Sequence, residues 1–162
     1  MDKCLLNIIN AEYSRLEIRT KDFADILSLH GFITKCGWYN GHYHNDESEW
    51  AREAYPISVI EVSGICDIEI EFNEVSVSTK LKREQVLEYS FDKFSDYKFE
   101  VYGANDYLTN IYDSRQLLRV LKENIENCPE NEICFSFDFP FNVDNGLIFE
   151  LVTLLRDENF YN

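Results

Sequence analysis

The residues most able to do chemistry in this chain lie between Gly37 and Trp50, in GWYNGHYHNDESEW. That stretch holds two of the three histidines, both tryptophans, and the carboxylates Asp46, Glu47 and Glu49. His42 and His44 are two residues apart, so on a strand both imidazoles would share one side, about 7 Å apart. Such a pair starts a metal site of the kind that assists hydrolysis. Zinc needs three or four protein ligands, so Asp46, Glu49, His30 or Cys36 would have to complete it. Asn40-Gly41 and Asn45-Asp46 bracket the histidines as turn signals, which fix no ligand geometry. Without any metal, Trp38, Tyr39, Tyr43 and Trp50 combine a large contact area with a polar atom, the combination that anchors protein interfaces. The stretch is therefore read as a loop and helix start presenting Trp38, Tyr39, Tyr43, Asp46, Glu47, Glu49 and Trp50 to a partner, with no metal or cofactor.

A second concentration of charge is Asp67-Ile68-Glu69-Ile70-Glu71-Phe72. Period-two alternation sets Asp67, Glu69 and Glu71 on one strand face and Ile68, Ile70 and Phe72 on the other, with Glu74 close by in a turn. Carboxylates about 7 Å apart repel one another, weakly in water and more strongly at lower dielectric. Cross-strand Lys80, Lys82 or Arg83 would neutralise the stripe if it were an ordinary solvated face. Left unneutralised, it is a docking surface for cations.

Other catalytic patterns are absent. The chain contains no G-x-S-x-G nucleophile elbow, no G-x-x-x-x-G-K-[ST] and no G-x-G-x-x-G, and has only 6 glycines with which to cradle a phosphate. The five cysteines, Cys4, Cys36, Cys66, Cys128 and Cys134, form no C-x-x-C pair. They read as reduced, small hydrophobic residues of a cytoplasmic protein. No window approaches the length of a membrane span. The balance of residues favours binding over catalysis.

The elements that must position these groups follow from periodicity. Tyr13–Arg19 alternates like a strand. Thr20 sits where a helix N-cap would, ahead of KDFADILSLHG, and Gly31 is placed to close that helix. FITKCGWY reads as a strand ending at Asn40-Gly41, and DESEWAREAYP as a short helix stopped ahead of Pro56. ISVIEVSG and CDIEIEFNEVSVSTKL alternate strictly, with a tight turn at Asn73-Glu74. KREQVLEYSF reads as a helix and YKFEVYG as a strand. RQLLRVLKENIENC is a helix capped by Asp113 or Ser114 and ended by Pro129. EICFSFDFP is a last strand, and DNGLIFELVTLLRDEN a last helix. Consecutive strands with irregularly placed helices predict one globular α+β domain over residues 1–162, a largely antiparallel sheet with helices on one face.

Thirty acidic against 15 basic residues give a net charge of −15. This repels nucleic acid and anionic membranes and attracts basic surfaces. In length and acidity the chain resembles the immunity proteins of bacterial toxin systems, contact-dependent inhibition among them, a likeness of overall character rather than of motif. The resemblance implies an inhibitor that steers its carboxylates onto a basic, nuclease-like toxin domain and occludes the active site. A nucleic-acid mimic, of the anti-restriction or anti-CRISPR type, would use the Asp67–Glu74 carboxylates in place of phosphates. The third reading is a small metal-dependent hydrolase built on His42 and His44.

Overall fold

The computed structural model describes residues 3–42, 54–82, 92–102 and 132–160, together with Asp113, Arg115, Gln116 and Arg119. Helix α1 (Lys3–Leu29) precedes strands β1 (Thr34–His42), β2 (Ala54–Val62), β3 (Cys66–Ile70), β4 (Glu74–Lys82), β5 (Lys98–Tyr102) and β6 (Glu132–Pro140), and helix α2 (Asn145–Phe160) follows. The six strands form one sheet in the order β1-β2-β3-β4-β6-β5, and every neighbouring pair is antiparallel. Three successive strand-to-strand returns build β1 to β4. The chain then places β5 at the far edge and returns with β6 between β5 and β4. The α+β class, with the described helices on one face of an antiparallel sheet, is as the sequence pattern predicts.

Alternation splits every strand into two faces. Ile60, Ile68, Ile70, Val75, Val77, Leu81, Phe99, Ile133, Phe135, Phe137 and Phe139 are all buried on the helix side. Their partners are the stripe Leu16, Thr20, Phe23 and Leu27 of α1 and the stripe Ile148, Leu151, Val152 and Leu155 of α2, both at helical spacing. Phenylalanine dominates where β5 meets β6. The ring of Phe99 lies 5.0 Å from that of Phe137 and 5.5 Å from that of Phe135, and Tyr97 packs 4.6 Å from Phe139.

The segment Tyr13–Arg19 is not a strand but the middle of α1. Its local alternation is accidental. Ile18 is 63% exposed, whereas Leu16 continues into the 3.6-residue stripe that only emerges once Phe23 and Leu27 are included. Thr20 accordingly caps nothing. It lies inside the helix and donates its hydroxyl proton to the Leu16 carbonyl (2.6 Å). That proton being committed, Ser58 donates to the Thr20 oxygen (2.5 Å), joining α1 to β2 through two buried hydroxyls. Gly31 does close the helix. At φ +84° it lets the Phe32 amide reach the Leu27 carbonyl and its own amide reach Ser28, while the Phe32 and Leu27 side chains are both buried.

Two further expectations are corrected. Asn40-Gly41 is not a turn, because both residues remain in β1, opposite Pro56 and Tyr55. The helix read over DESEWAREAYP fails at its end, since Ala54, Tyr55 and Pro56 begin β2. Its earlier residues lie outside the described residues, as does the helix read over KREQVLEYSF except at its first residue, Lys82, which ends β4 and is not helical. Asp113 accepts the Arg115 amide at 2.8 Å, as a helix cap does. Asp144 does the same for Gly146 at the start of α2, also at 2.8 Å.

Phe137 meets four aromatic neighbours, Phe94, Phe99, Phe135 and Phe139, at the centre of this core. Phe137→Ala is expected to cost about 3–5 kcal/mol. Urea unfolding of the variant against the unaltered chain measures it, and a cost below about 1 kcal/mol would mean the core is not packed around this ring.

Candidate functional site

What alternation places toward the helices it must balance on the other side of the sheet. Reading across the strands, one row on that second face is Lys35, Glu61, Asp67, Ser78, Ser136 and Glu100. The next is Gly37, Val59, Glu69, Ser76, Asp138 and Lys98. Glu74 lies one step further along β4, opposite Pro140. Glu71 exchanges backbone hydrogen bonds with Glu74 (2.8 and 3.4 Å) to close the hairpin. The turn residues are therefore Phe72 and Asn73, one position earlier than the sequence suggests, and Glu74 belongs to the strand.

The sequence-predicted stripe Asp67, Glu69, Glu71 and Glu74 is thus one side of a wider carboxylate patch that also includes Glu61, Asp138 and Glu100. Glu61 stands directly opposite Asp67 across the β2–β3 ladder. Like charges in that position destabilise a sheet. The residues facing Asp67 and Glu69 from β4 are Ser78 and Ser76, not lysines. Lys80 and Lys82 sit further along β4, opposite Cys134 and Glu132.

The electrostatics follow from this crowding. Partial burial, and then the neighbouring Glu61, push the Asp67 carboxyl above its ordinary range. Burial, then Glu69 and Asp138, raise Glu71. Glu74 is raised by burial and by Asp138, with Lys98 opposing and Glu71 and Glu100 adding to the effect. Asp138 is buried. It accepts a hydrogen bond from Ser76 Oγ at 2.7 Å, and Lys98 Nζ is 3.8 Å from its other oxygen. A groove of about 370 Å3 opens at the β2–β3 turn end, where Glu61, Asp67, Ser78, Lys80 and Cys134 meet.

The other predicted residues are placed elsewhere. Trp38 is on β1 but on the helix side of the sheet, its ring 5.4 Å from that of Tyr13, and it remains 44% exposed. It does not join the carboxylate patch, which occupies the opposite face. Tyr39 pairs with Ile57 in the ladder. Tyr43, His44, Asp46, Glu47, Glu49 and Trp50 lie outside the described residues. His42 is the last residue of β1, and His30 packs its ring 4.4 Å from that of Phe149. Among the described residues, no group of three or more histidines, cysteines and carboxylates is arranged to hold a metal ion. Cys66 behaves as a core residue, with burial and Asp67 pushing its thiol up to about 12.

Glu61, Glu100 and Asp138 are the members of the patch that sequence reading misses. Their own alternation was visible, in ISVIEV, KFEVY and FSFDF, but nothing local reveals that β6 inserts between β4 and β5.

No family model matches this chain, and no curated protein does. A solved structure of a conserved hypothetical protein from Pyrococcus furiosus has the same fold. It is 17% identical, with a TM-score of 0.58 over 95% of this chain and 98% of that one. At that identity the likeness is one of fold.

The raised carboxyls carry a pH dependence whose sign is fixed. In the range between the ordinary carboxylate pKa and the raised one, the folded state holds more protons than the unfolded, so this cluster's contribution to stability falls as pH rises through that range. The double variant Glu71→Gln/Glu74→Gln is expected to melt higher than the unaltered chain at pH 7, with the difference shrinking on acidification toward pH 4. Melting curves across that range test it, and a variant that melts lower at pH 7 would contradict the crowding.

Proposed function

We propose that this chain is an acidic protein-binding inhibitor, whose carboxylate face docks on the basic surface of a nuclease-like toxin domain and occludes its active site. The observation that carries the reading is the direct opposition of Glu61 and Asp67, with serines in the adjoining β4 positions. A face that was merely solvated would gain by alternating charge across its strands. This one places Lys35 and Lys98 on its edge strands, opposite Glu61 and Asp138, but sets Glu61 against Asp67 and Glu71 against Glu74 further in. It holds three of its carboxyls above their ordinary range. A cationic partner removes that repulsion on binding. The free protein thus carries an electrostatic cost that the complex relieves.

A nuclease must present lysines and arginines to phosphate, so a carboxylate face competes for the surface that the nucleic acid needs. The net charge of −15 adds long-range steering, which raises association rates and is sensitive to salt. Nucleic-acid mimicry fits less well. Glu61, Asp67, Glu69 and Glu74 form a compact patch over adjacent strands about 4.8 Å apart, not a line at phosphate spacing.

Two variants test the proposal. The chain is immobilised and lysate of the source organism passed over it at about 0.1 M and then about 1 M salt, where the Debye length falls from roughly 10 Å to 3 Å. A basic protein retained at low salt and released at high salt is expected. Asp67→Ser/Glu69→Ser/Glu71→Ser is expected to keep its fold and lose that protein. Asp67→Lys places a cation opposite Glu61, and is expected to gain about 0.2–1 kcal/mol of stability while binding less. Either variant retaining the partner with unchanged affinity would end the carboxylate-face reading.

A further inference from the structure

The two edges of the sheet are built differently. At one edge β5 is only five residues long and carries exposed charges at Lys98 and Glu100. Short, charged edges resist pairing with another chain. At the other, β1 runs for nine residues, in one-for-one register with β2 from Thr34 to His42, with no bulge and no proline. Its sequence, TKCGWYNGH, contains no carboxylate, although 30 of the 162 residues of the chain are acidic.

The direction of its backbone groups can be read from one bond. The Ser63 amide donates to the Ile33 carbonyl at 2.9 Å, continuing the register in which Thr34 faces Val62. Hydrogen-bonded positions alternate along an antiparallel pair, so the odd-numbered residues of this strand bond to β2. Thr34, Cys36 and Trp38 therefore aim their N–H and C=O groups away from the sheet. Among the described residues, none bonds to them. Lys35, Cys36, Gly37 and Trp38 are exposed in succession, and the space around Gly37 is open.

We infer that β1 is a self-association edge, pairing antiparallel with β1 of a second copy to continue the sheet across a two-fold axis. Exposed backbone donors and acceptors in strand geometry select another strand as occupant. The charge pattern favours a second copy. With the axis at Cys36, Gly37 or Trp38, Lys35 falls opposite Gly37, Tyr39 or Gly41 of the other chain, so no like charges oppose within the ladder. Pairing also covers Trp38, which is 44% exposed. The acidic patch begins at β2 and β3 on the second face, so the two surfaces are separate. Each copy carries a net charge of −15, so salt, by screening, strengthens this contact. Salt has the opposite effect on capture of a basic partner.

Sedimentation equilibrium of the whole chain under reducing conditions, at low and high salt, tests the inference. The expected result is a dimer whose association tightens with salt. Cys36→Pro removes an outward amide without touching the β2 ladder, and edge strands accept proline there. Cys36→Lys sets a charge at an already exposed position in the middle of the edge. Both are expected to weaken self-association at least about tenfold, with unchanged circular dichroism. If the proline variant fails to fold, the lysine variant decides. A chain that sediments as a monomer at every salt concentration overturns the inference, as does a folded variant that dimerises like the unaltered chain.

Discussion

The constraint on which the rest depends is the register of the six-stranded ladder. A single row across the sheet joins Cys36, Ile60, Ile68, Val77, Phe137 and Phe99, apolar from end to end. The row beside it joins Gly37, Val59, Glu69, Ser76, Asp138 and Lys98. Neither row can exist without the other, because successive residues on a strand point to opposite faces. A slip of one residue anywhere would bury Glu69 or Asp138 among phenylalanines and expose Ile68 or Phe137. The cost of burying a carboxylate without a cation therefore enforces the same register that the hydrophobic effect selects. The carboxylate patch is a geometric consequence of the core.

The helices hold that arrangement through a small number of polar contacts at the sheet margin. Arg19 on α1 donates to the carbonyls of Phe141 and Val143 and to Asn145 Oδ1, binding the turn between β6 and α2, while its guanidinium lies 4.3 Å from the Phe23 ring. Burial works against its charge, and Asp22 and Asp144 partly offset that. Arginine's fork of N–H donors serves three acceptors at once, from Nε and both terminal nitrogens, which a lysine ammonium would not match. Arg15, one turn earlier, donates to the Phe72 carbonyl in the β3–β4 turn at 2.8 Å and covers the Phe141 ring. Together these two arginines fasten α1 to the β3–β4 and β6–α2 turns at one margin of the sheet.

Legibility in the sequence tracked the range of the forces involved. β6 and α2 were readable because FSFDF and LIFELVTLL each express one period with little ambiguity, and the sheet class followed from the strict alternation of β2 to β4. The Schellman closure at Gly31 was readable because glycine there has a local backbone reason. Tyr13–Arg19 was not, because seven residues suit either period and the deciding members, Phe23 and Leu27, lie beyond it. Asn40-Gly41 misled for the complementary reason. A good turn dipeptide remains in a strand when the ladder with β2 outweighs its local preference. Of the patch, Asp67 and Glu69 were legible from their own strand. Glu61, Glu100 and Asp138 required the strand order, which is a long-range property.

A sheet face of this size could distribute its lysines among its carboxylates, and the chain does have lysines on these strands. It sets Lys35 on the edge strand β1 opposite Glu61, Lys80 and Lys82 toward the end of β4, and Lys98 on the other edge strand beside Asp138. The β4 positions facing Asp67 and Glu69 are Ser78 and Ser76, and Ser136 faces Ser78 from β6. Serine is small, neutral and a hydrogen-bond donor. It lets Asp138 be buried with a partner at 2.7 Å and leaves Asp67 between Glu61 and Ser78, with no cation directly opposite it, while Lys35 faces Glu61 from the edge strand. Residues that break a local stability rule at one place, while the rest of the fold obeys it, mark where selection acts on something other than stability. Here the rule is broken in one direction, toward negative charge, on one face, beside a core that is otherwise consistently packed.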